Sequence, residues 1–304
     1  MTPAWRGCTL LYRNFTTQEE LDEQYDVEAG HPDISSVGAM FERLSIVAQA
    51  TLDWTPDVRF GPTRDEHVDV YRASGAGPRP VLLFIHGGWW RRFSSKTFAL
   101  VASGPVAAGV DVVVTNYSLA PKASIDEITR QSRAAVAWVR EHAPSWGGDP
   151  DRIFVSGHSA GGHQVGMLLG TDWVGEYDLP PDVIKGGISI SGLFDLRPFP
   201  YTWLAPALQL SHRTIETQSP LFHIPESAPP ILLTYGGRES REFHRQSEDY
   251  LSAWRRAGLT GEAFKQTDAD HFTAITGLAD PGSDLTRRVL SFIGHDPAGV
   301  GARP

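Results

Sequence analysis

Three places in the chain carry residue types that together can split an acyl bond. The stretch "FVSGHSAGGH" sets Ser159 between Gly157 and Gly161, the G-x-S-x-G spacing of a nucleophile elbow. A serine hydroxyl is a weak nucleophile, so it needs a base to take its proton and donors to hold the developing oxyanion. His271 in "TDADHF" is the candidate base. The run "HGGWW", His86–Trp90, is the candidate donor loop: two glycines let backbone N–H groups point inward without side-chain obstruction. Gly88 and Trp89 are the expected donors there, with Gly87 a near alternative. The N–H after the nucleophile, that of Ala160, completes the set. His86 itself is expected to brace the loop.

A base of this kind is oriented by a carboxylate, which falls between serine and histidine along the chain. The acid is expected after the apolar run "ILLTYG", where Glu239 stands in "GGRES" and Glu242 follows. Asp195 follows an earlier apolar run. Asp268 and Asp270 flank the histidine and are expected to shape its loop. Glu239 is the preferred acid. His158 and His163 near the serine are read as structural or pocket-lining. No H-E-x-x-H is present, and a spacing of five does not stack two histidines on one helical face, so no metal site is expected.

These groups need strands and helices in alternation to hold them. "VLLFI", "VDVVVTNY", "DRIFVSG", "IKGGISISG" and "PPILLTYGG" read as buried strands, and "GEAFKQTD" as the last strand. "HVDVYRA" alternates apolar and polar, as a half-buried strand does. "SIDEITRQSRAAVAWVREHA" reads as a helix with a capping box from Ser124 to Glu127 and a stop at Pro144. "SAGGHQVGMLLG", "SREFHRQSEDYLSAWRRAG" and "SDLTRRVLSFIGH" read as further helices. The serine thus falls where a buried strand turns into a helix. The alternation predicts an α/β fold, a mostly parallel sheet with helices on both faces. One domain over 1–304 is expected, with a helical and irregular segment over 1–50. The aromatic, proline-rich stretch at about 195–228 interrupts the alternation and is expected to form a lid over the site.

The 304 residues carry a formal net charge of −9 with 41% hydrophobic and 21% charged residues, a globular composition without the basic stripe of a nucleic-acid binder. The one cysteine, Cys8, rules out a disulfide within the chain and reads as a free thiol. The N-terminus has no apolar stretch of signal-peptide length, and no apolar run spans a bilayer, so a cytoplasmic protein without a membrane partner is expected.

Together, "HGGWW", "NYSLAP", "GGDPDRI", "GHSAGGH", "SGLFDLRP" and the leader "LDEQYDVEAGHPD" resemble the kynurenine formamidase (arylformamidase) branch of the α/β-hydrolases, near the hormone-sensitive-lipase type of esterase. The resemblance runs from about Thr16 to Phe292. It implies an α/β-hydrolase fold, a serine–acid–histidine triad, no cofactor, and cleavage of N-formylkynurenine in tryptophan breakdown. The family's acid is an aspartate; here the position carries Glu239. Related esterases often have a third glycine after H-G-G, and Trp89 in its place favours the formamidase branch. Trp89, Trp90, Phe93 and His158 are then the expected walls around a small aromatic substrate, ordinary packing being the other reading of Trp90 and Phe93. A short-chain aryl carboxylesterase or an amidase of another pathway is the alternative activity. A non-catalytic ligand-binding protein on the same fold is a third reading, and a homodimer is left open.

Overall fold

Residues 10–28, 31 and 33–295 are described by the computed structural model. Cys8 and the first residues of the N-terminus lie outside them. The apolar runs become strands β1 (Asp53–Arg59), β2 (His67–Arg72), β3 (Arg79–Ile85), β4 (Asp111–Thr115), β5 (Gly148–His158), β6 (Ile184–Ile190), β7 (Ile231–Gly236) and β8 (Gly261–Gln266). They form one sheet in the order β1-β2-β4-β3-β5-β6-β7-β8. β2 runs antiparallel to both β1 and β4, and β3 to β8 run parallel. Neighbouring residues of β3 serve opposite faces: Leu83 and Ile85 join one core cluster, Leu82 and Phe84 the other. A strand covered on both faces has no reason to alternate, which is why these runs read as continuously apolar.

β2 departs from its pattern. Its four central residues are all buried, Asp69 included. The Asp69 carboxylate survives there because it accepts from the Asp57 N–H at 3.0 Å and pairs with Lys96.

The helices are α1 (Gln18–Tyr25), α2 (Ile34–Thr51), α3 (Ser103–Ala107), α4 (Ile125–His142), α5 (Ala160–Leu169), α6 (Trp173–Tyr177), α7 (Ala205–Leu208), α8 (His212–Thr217), α9 (Arg241–Arg256), α10 (Thr273–Thr276) and α11 (Asp284–Phe292). Ser124 caps α4 by accepting from the Glu127 N–H at 3.3 Å. Only that half of the expected capping box forms, because the Glu127 carboxylate turns to Arg130 and Gln131. Among the described residues no helix is long and apolar enough to cross a membrane.

The stretch 195–228 is not the cover over the site. It forms short helical turns, α7 and α8 among them, and none of its residues lines the cavity that holds Ser159. Phe199 and Trp203 instead pack behind Trp89, with ring centroids 6.0 and 5.9 Å away. The cover comes from the N-terminal helix α2, whose Val37, Phe41, Ser45 and Ala48 recur at helical spacing and face inward. Ser45 latches it down: its hydroxyl donates to Thr97 O at 2.8 Å and accepts from the Leu100 N–H at 3.2 Å. α1 is tied to α9 by Tyr25, whose hydroxyl donates to Glu242 at 2.9 Å.

Candidate active site

Ser159 sits between β5 and α5 with φ 57° and ψ −115°. Such a backbone costs a non-glycine residue on the order of 1–3 kcal/mol and must be held by its surroundings. The Ser159 N–H donates to Ile190 O at 2.8 Å on neighbouring β6, and Ser159 O accepts the first bond of α5, from the His163 N–H at 3.0 Å. The two flanking glycines are there for contact distance. A Cβ on Gly157 would stand 2.3 Å from Gly161 O, and one on Gly161 only 1.9 Å from Ile85 O. The elbow thus lies tight against the end of β3, where the H-G-G loop begins. The N–H groups of Ala160, Gly161 and Gly162 precede the helix ladder, so they are oriented for an anion rather than used up within the helix.

The loop after β3 is strained as well. Gly88 has φ 112°, and Trp89, Trp90 and Phe93 have φ of 57°, 56° and 71°. His86 braces it from below. Its Nδ1–H donates to Gly87 O at 2.8 Å, its ring stacks on Tyr117 at 4.1 Å, and the Tyr117 hydroxyl donates to His86 O at 2.9 Å. Burial pushes the His86 pKa down to about 4, so the ring is neutral in this role. Gly87 presses on the elbow itself: a Cβ there would lie 2.8 Å from His158 O and 3.2 Å from Ser159 Cβ.

His271 follows β8, as expected. Its Nδ1–H donates to Glu239 Oε1 at 2.7 Å, and the Glu239 side chain is fully buried. The second Glu239 oxygen accepts from the Gly236 N–H at 3.2 Å, which fixes the carboxylate in the turn after β7. Among the three carboxylates weighed, Glu239 is the one beside the histidine. Asp195 instead accepts from Tyr12, Arg197 and Arg245, and Glu242 from Tyr25 and Arg245. Asp270 shapes the loop by accepting from the Phe272 and Thr273 N–H groups at 3.1 and 2.8 Å. Asp268 is exposed.

His158 does more than line the pocket. Its Nε2–H donates to the His271 backbone carbonyl at 2.9 Å, with the two rings 4.7 Å apart. Desolvation, and then the charge of His271, hold its pKa well below the usual histidine value. His163 points the other way. Its Nε2–H donates to Gln218 O at 2.7 Å, which ties α5 to the 195–228 stretch.

Ser159, His271, His158, Gly88, Trp89 and Phe93 all line one cavity of about 620 Å³. Trp90 does not. It is fully buried, edge-on to His163 at 5.1 Å and to Phe199 at 5.9 Å, and belongs to the core. Other walls were not singled out in the sequence: the apolar Val37 and Phe41 from α2, Phe98 and Phe272, and charged side chains that include Glu28 and Arg92. The helical spacing of Val37 and Phe41 was their only signal. Among the described residues no three His, Cys, Asp or Glu side chains are grouped to hold a metal ion.

The kynurenine formamidase of Danio rerio is 30% identical to this chain over 290 residues, which cover 91% of this chain and 97% of that protein. The chain belongs to the kynurenine formamidase family. The kynurenine formamidase of Salmo salar is 32% identical over 260 residues, 83% of this chain and 85% of its own. A family model described as BD-FAE matches residues 68–177, from β2 through the elbow to α6. Among solved structures, a putative thioesterase from a Silicibacter species superposes with a TM-score of 0.76 at 25% identity, over 88% of this chain and 97% of that one. The chain has the α/β-hydrolase fold, and it is a hydrolase of the serine esterase and formamidase type.

Proposed function

We propose that Ser159, His271 and Glu239 are the catalytic triad of an arylformamidase that takes the formyl group from an arylamide such as N-formylkynurenine. The observation that carries this is the 2.7 Å bond from His271 to the buried Glu239, in a cavity that also holds the strained Ser159. With its Nδ1 proton given to Glu239, His271 keeps the Nε2 lone pair for the Ser159 hydroxyl. The serine oxygen attacks the formyl carbon as His271 takes its proton. The N–H groups of Gly88, Trp89 and Ala160 hold the oxyanion. His271 then protonates the leaving arylamine nitrogen, and water, deprotonated by the same histidine, releases formate from the serine ester.

The walls support the choice of acyl and leaving group. Trp89 is wedged among Tyr25, Phe199, Trp203 and Phe243, which makes its side of the cavity rigid. Phe41, Phe93, Phe98 and Phe272 offer aromatic faces to an aryl group. Ser159→Ala tests the reading: kcat on N-formylkynurenine falls by a factor on the order of 10⁶ with the fold intact. Turnover near that of the wild type would remove the nucleophile from the scheme.

A further inference from the structure

Four charged side chains line the cavity: Glu28, Glu42, Arg92 and Lys96. Lys96 is committed elsewhere, pairing with Asp57 at 2.9 Å and with the buried Asp69, its ammonium 5.1 Å from the Trp54 ring centre. Glu42 lies exposed on α2. Arg92 and Glu28 pair with each other, both side chains about two-fifths exposed at 42% and 39%. The backbone places Arg92 on the oxyanion loop, since its N–H donates to Gly88 O at 2.9 Å. Its neighbour Arg91 is turned away, over the Trp203 ring at 5.5 Å.

Half-exposed ion pairs add little to stability. Here one cation and one anion stand side by side on the wall of a cavity that also presents Phe41, Trp89, Phe93, Phe98 and Phe272. An α-amino acid head presents the same two charges, two bonds apart. Laid antiparallel over the pair, its carboxylate meets the Arg92 guanidinium, a planar donor suited to carboxylates, and its ammonium meets the Glu28 carboxylate. The four charges alternate and sum to zero. A neutral arylamine forfeits both contacts, and a simple aryl acid forfeits one.

We propose that Arg92 and Glu28 form the subsite for an α-amino acid head carried on the arylamine leaving group. This rests on the arylformamidase reading for the seat of the aryl ring, and it makes Arg92 and Glu28 specificity residues. The test is calorimetric titration of the full chain with L-kynurenine and with 2-aminoacetophenone, which shares the ring, amine and ketone but lacks the amino acid head. The wild type binds L-kynurenine more tightly by about tenfold, the scale of one good charge-assisted contact pair at a half-exposed site. Arg92→Gln and Glu28→Gln each bring the ratio of the two dissociation constants toward one, and raised salt does the same. A wild-type ratio near one overturns the proposal, as does a ratio kept in both variants. Because no turnover is measured, failure of the formamidase reading shows separately, as an absence of N-formylkynurenine hydrolysis beside intact Arg92-dependent binding.

Discussion

Replacing Gly87 by alanine adds one methyl group between the donor loop and the nucleophile. The new Cβ would stand 2.8 Å from His158 O, 3.0 Å from His158 Nδ1 and 3.2 Å from Ser159 Cβ. Non-bonded carbon contacts settle at about 3.5 Å or beyond, so the loop must withdraw by roughly half an ångström. None of the three neighbours can yield in its place. His158 O belongs to β5, the His158 ring is pinned by its bond to His271 O, and Ser159 is clamped in the elbow. Gly88 and Trp89, the proposed donors, move out with Gly87, which lengthens their reach to the oxyanion. Loss of one oxyanion donor costs about 10²–10³ in rate, so a partial retreat of two donors lowers kcat by about 10–100-fold. Strain of this kind costs about 1–3 kcal/mol of stability. KM changes little, because α2, Phe98 and Phe272 stay in place. Steady-state kinetics on an aryl ester and on N-formylkynurenine, with a melting curve beside them, read all three quantities. A Gly87→Ala variant that turns over within twofold of wild type would refute the placement of the donors on this loop.

Glu239→Gln keeps the side chain's size but removes the charge that orients His271, and kcat falls by about 10⁴ with KM nearly unchanged. Glu242→Gln does the reverse: it takes the nearest carboxylate from the part-buried Arg245, which keeps Asp195 and Asp249, and lowers stability by about 2 kcal/mol, while the kcat of the folded enzyme stays close to wild type. If the two variants exchange phenotypes, the acid has been misassigned. Stability falls with acid. His86 and His163 are buried, and desolvation lowers both pKa values from 6.5 to about 4. Between those values the unfolded chain binds the protons first, so stability present above pH of about 6.5 is lost on the way down to about 4. Each difference, 6.5 − 4, is worth on the order of 3 kcal/mol. Urea midpoints at stepped pH show the decline, and His163→Gln makes it shallower; a flat profile over that window contradicts the neutral, buried state of these rings.

The candidate site was legible where chemistry demands a fixed local pattern. G-x-S-x-G marked Ser159 because both glycines sit where no Cβ fits, and His271 was marked by its place after the last strand. Glu239 followed from its place after β7, although Asp195 and Glu242 are equally acidic; only the fold reveals that those two serve Arg197 and Arg245 instead. The cover was misread. Aromatic, proline-rich sequence at 195–228 looks alike whether it covers a cavity or backs one, and here Phe199 and Trp203 back Trp89. The actual cover, α2, lies far from Ser159 in sequence, and its inward face carries the bland set Val37, Phe41, Ser45 and Ala48. Trp90 shows the same limit. Adjacent tryptophans in a loop of positive φ point apart, one toward the cavity and one into the core, and nothing in their identity says which. β2 was misjudged because Asp69 looked like a solvent-facing residue, whereas Lys96 pairs with it under cover.

The most direct test of the central claim is kcat/KM for one arylamine carrying formyl, acetyl and butyryl groups in turn, with N-formyl-L-kynurenine measured alongside. Rigid packing around Trp89 predicts a steep decline, about tenfold or more for each enlargement of the acyl group. N-formyl-L-kynurenine is then turned over fastest, and Ser159→Ala abolishes every rate. A profile that is flat or rises toward butyryl, with no turnover of N-formyl-L-kynurenine, would contradict the account and mark a general esterase.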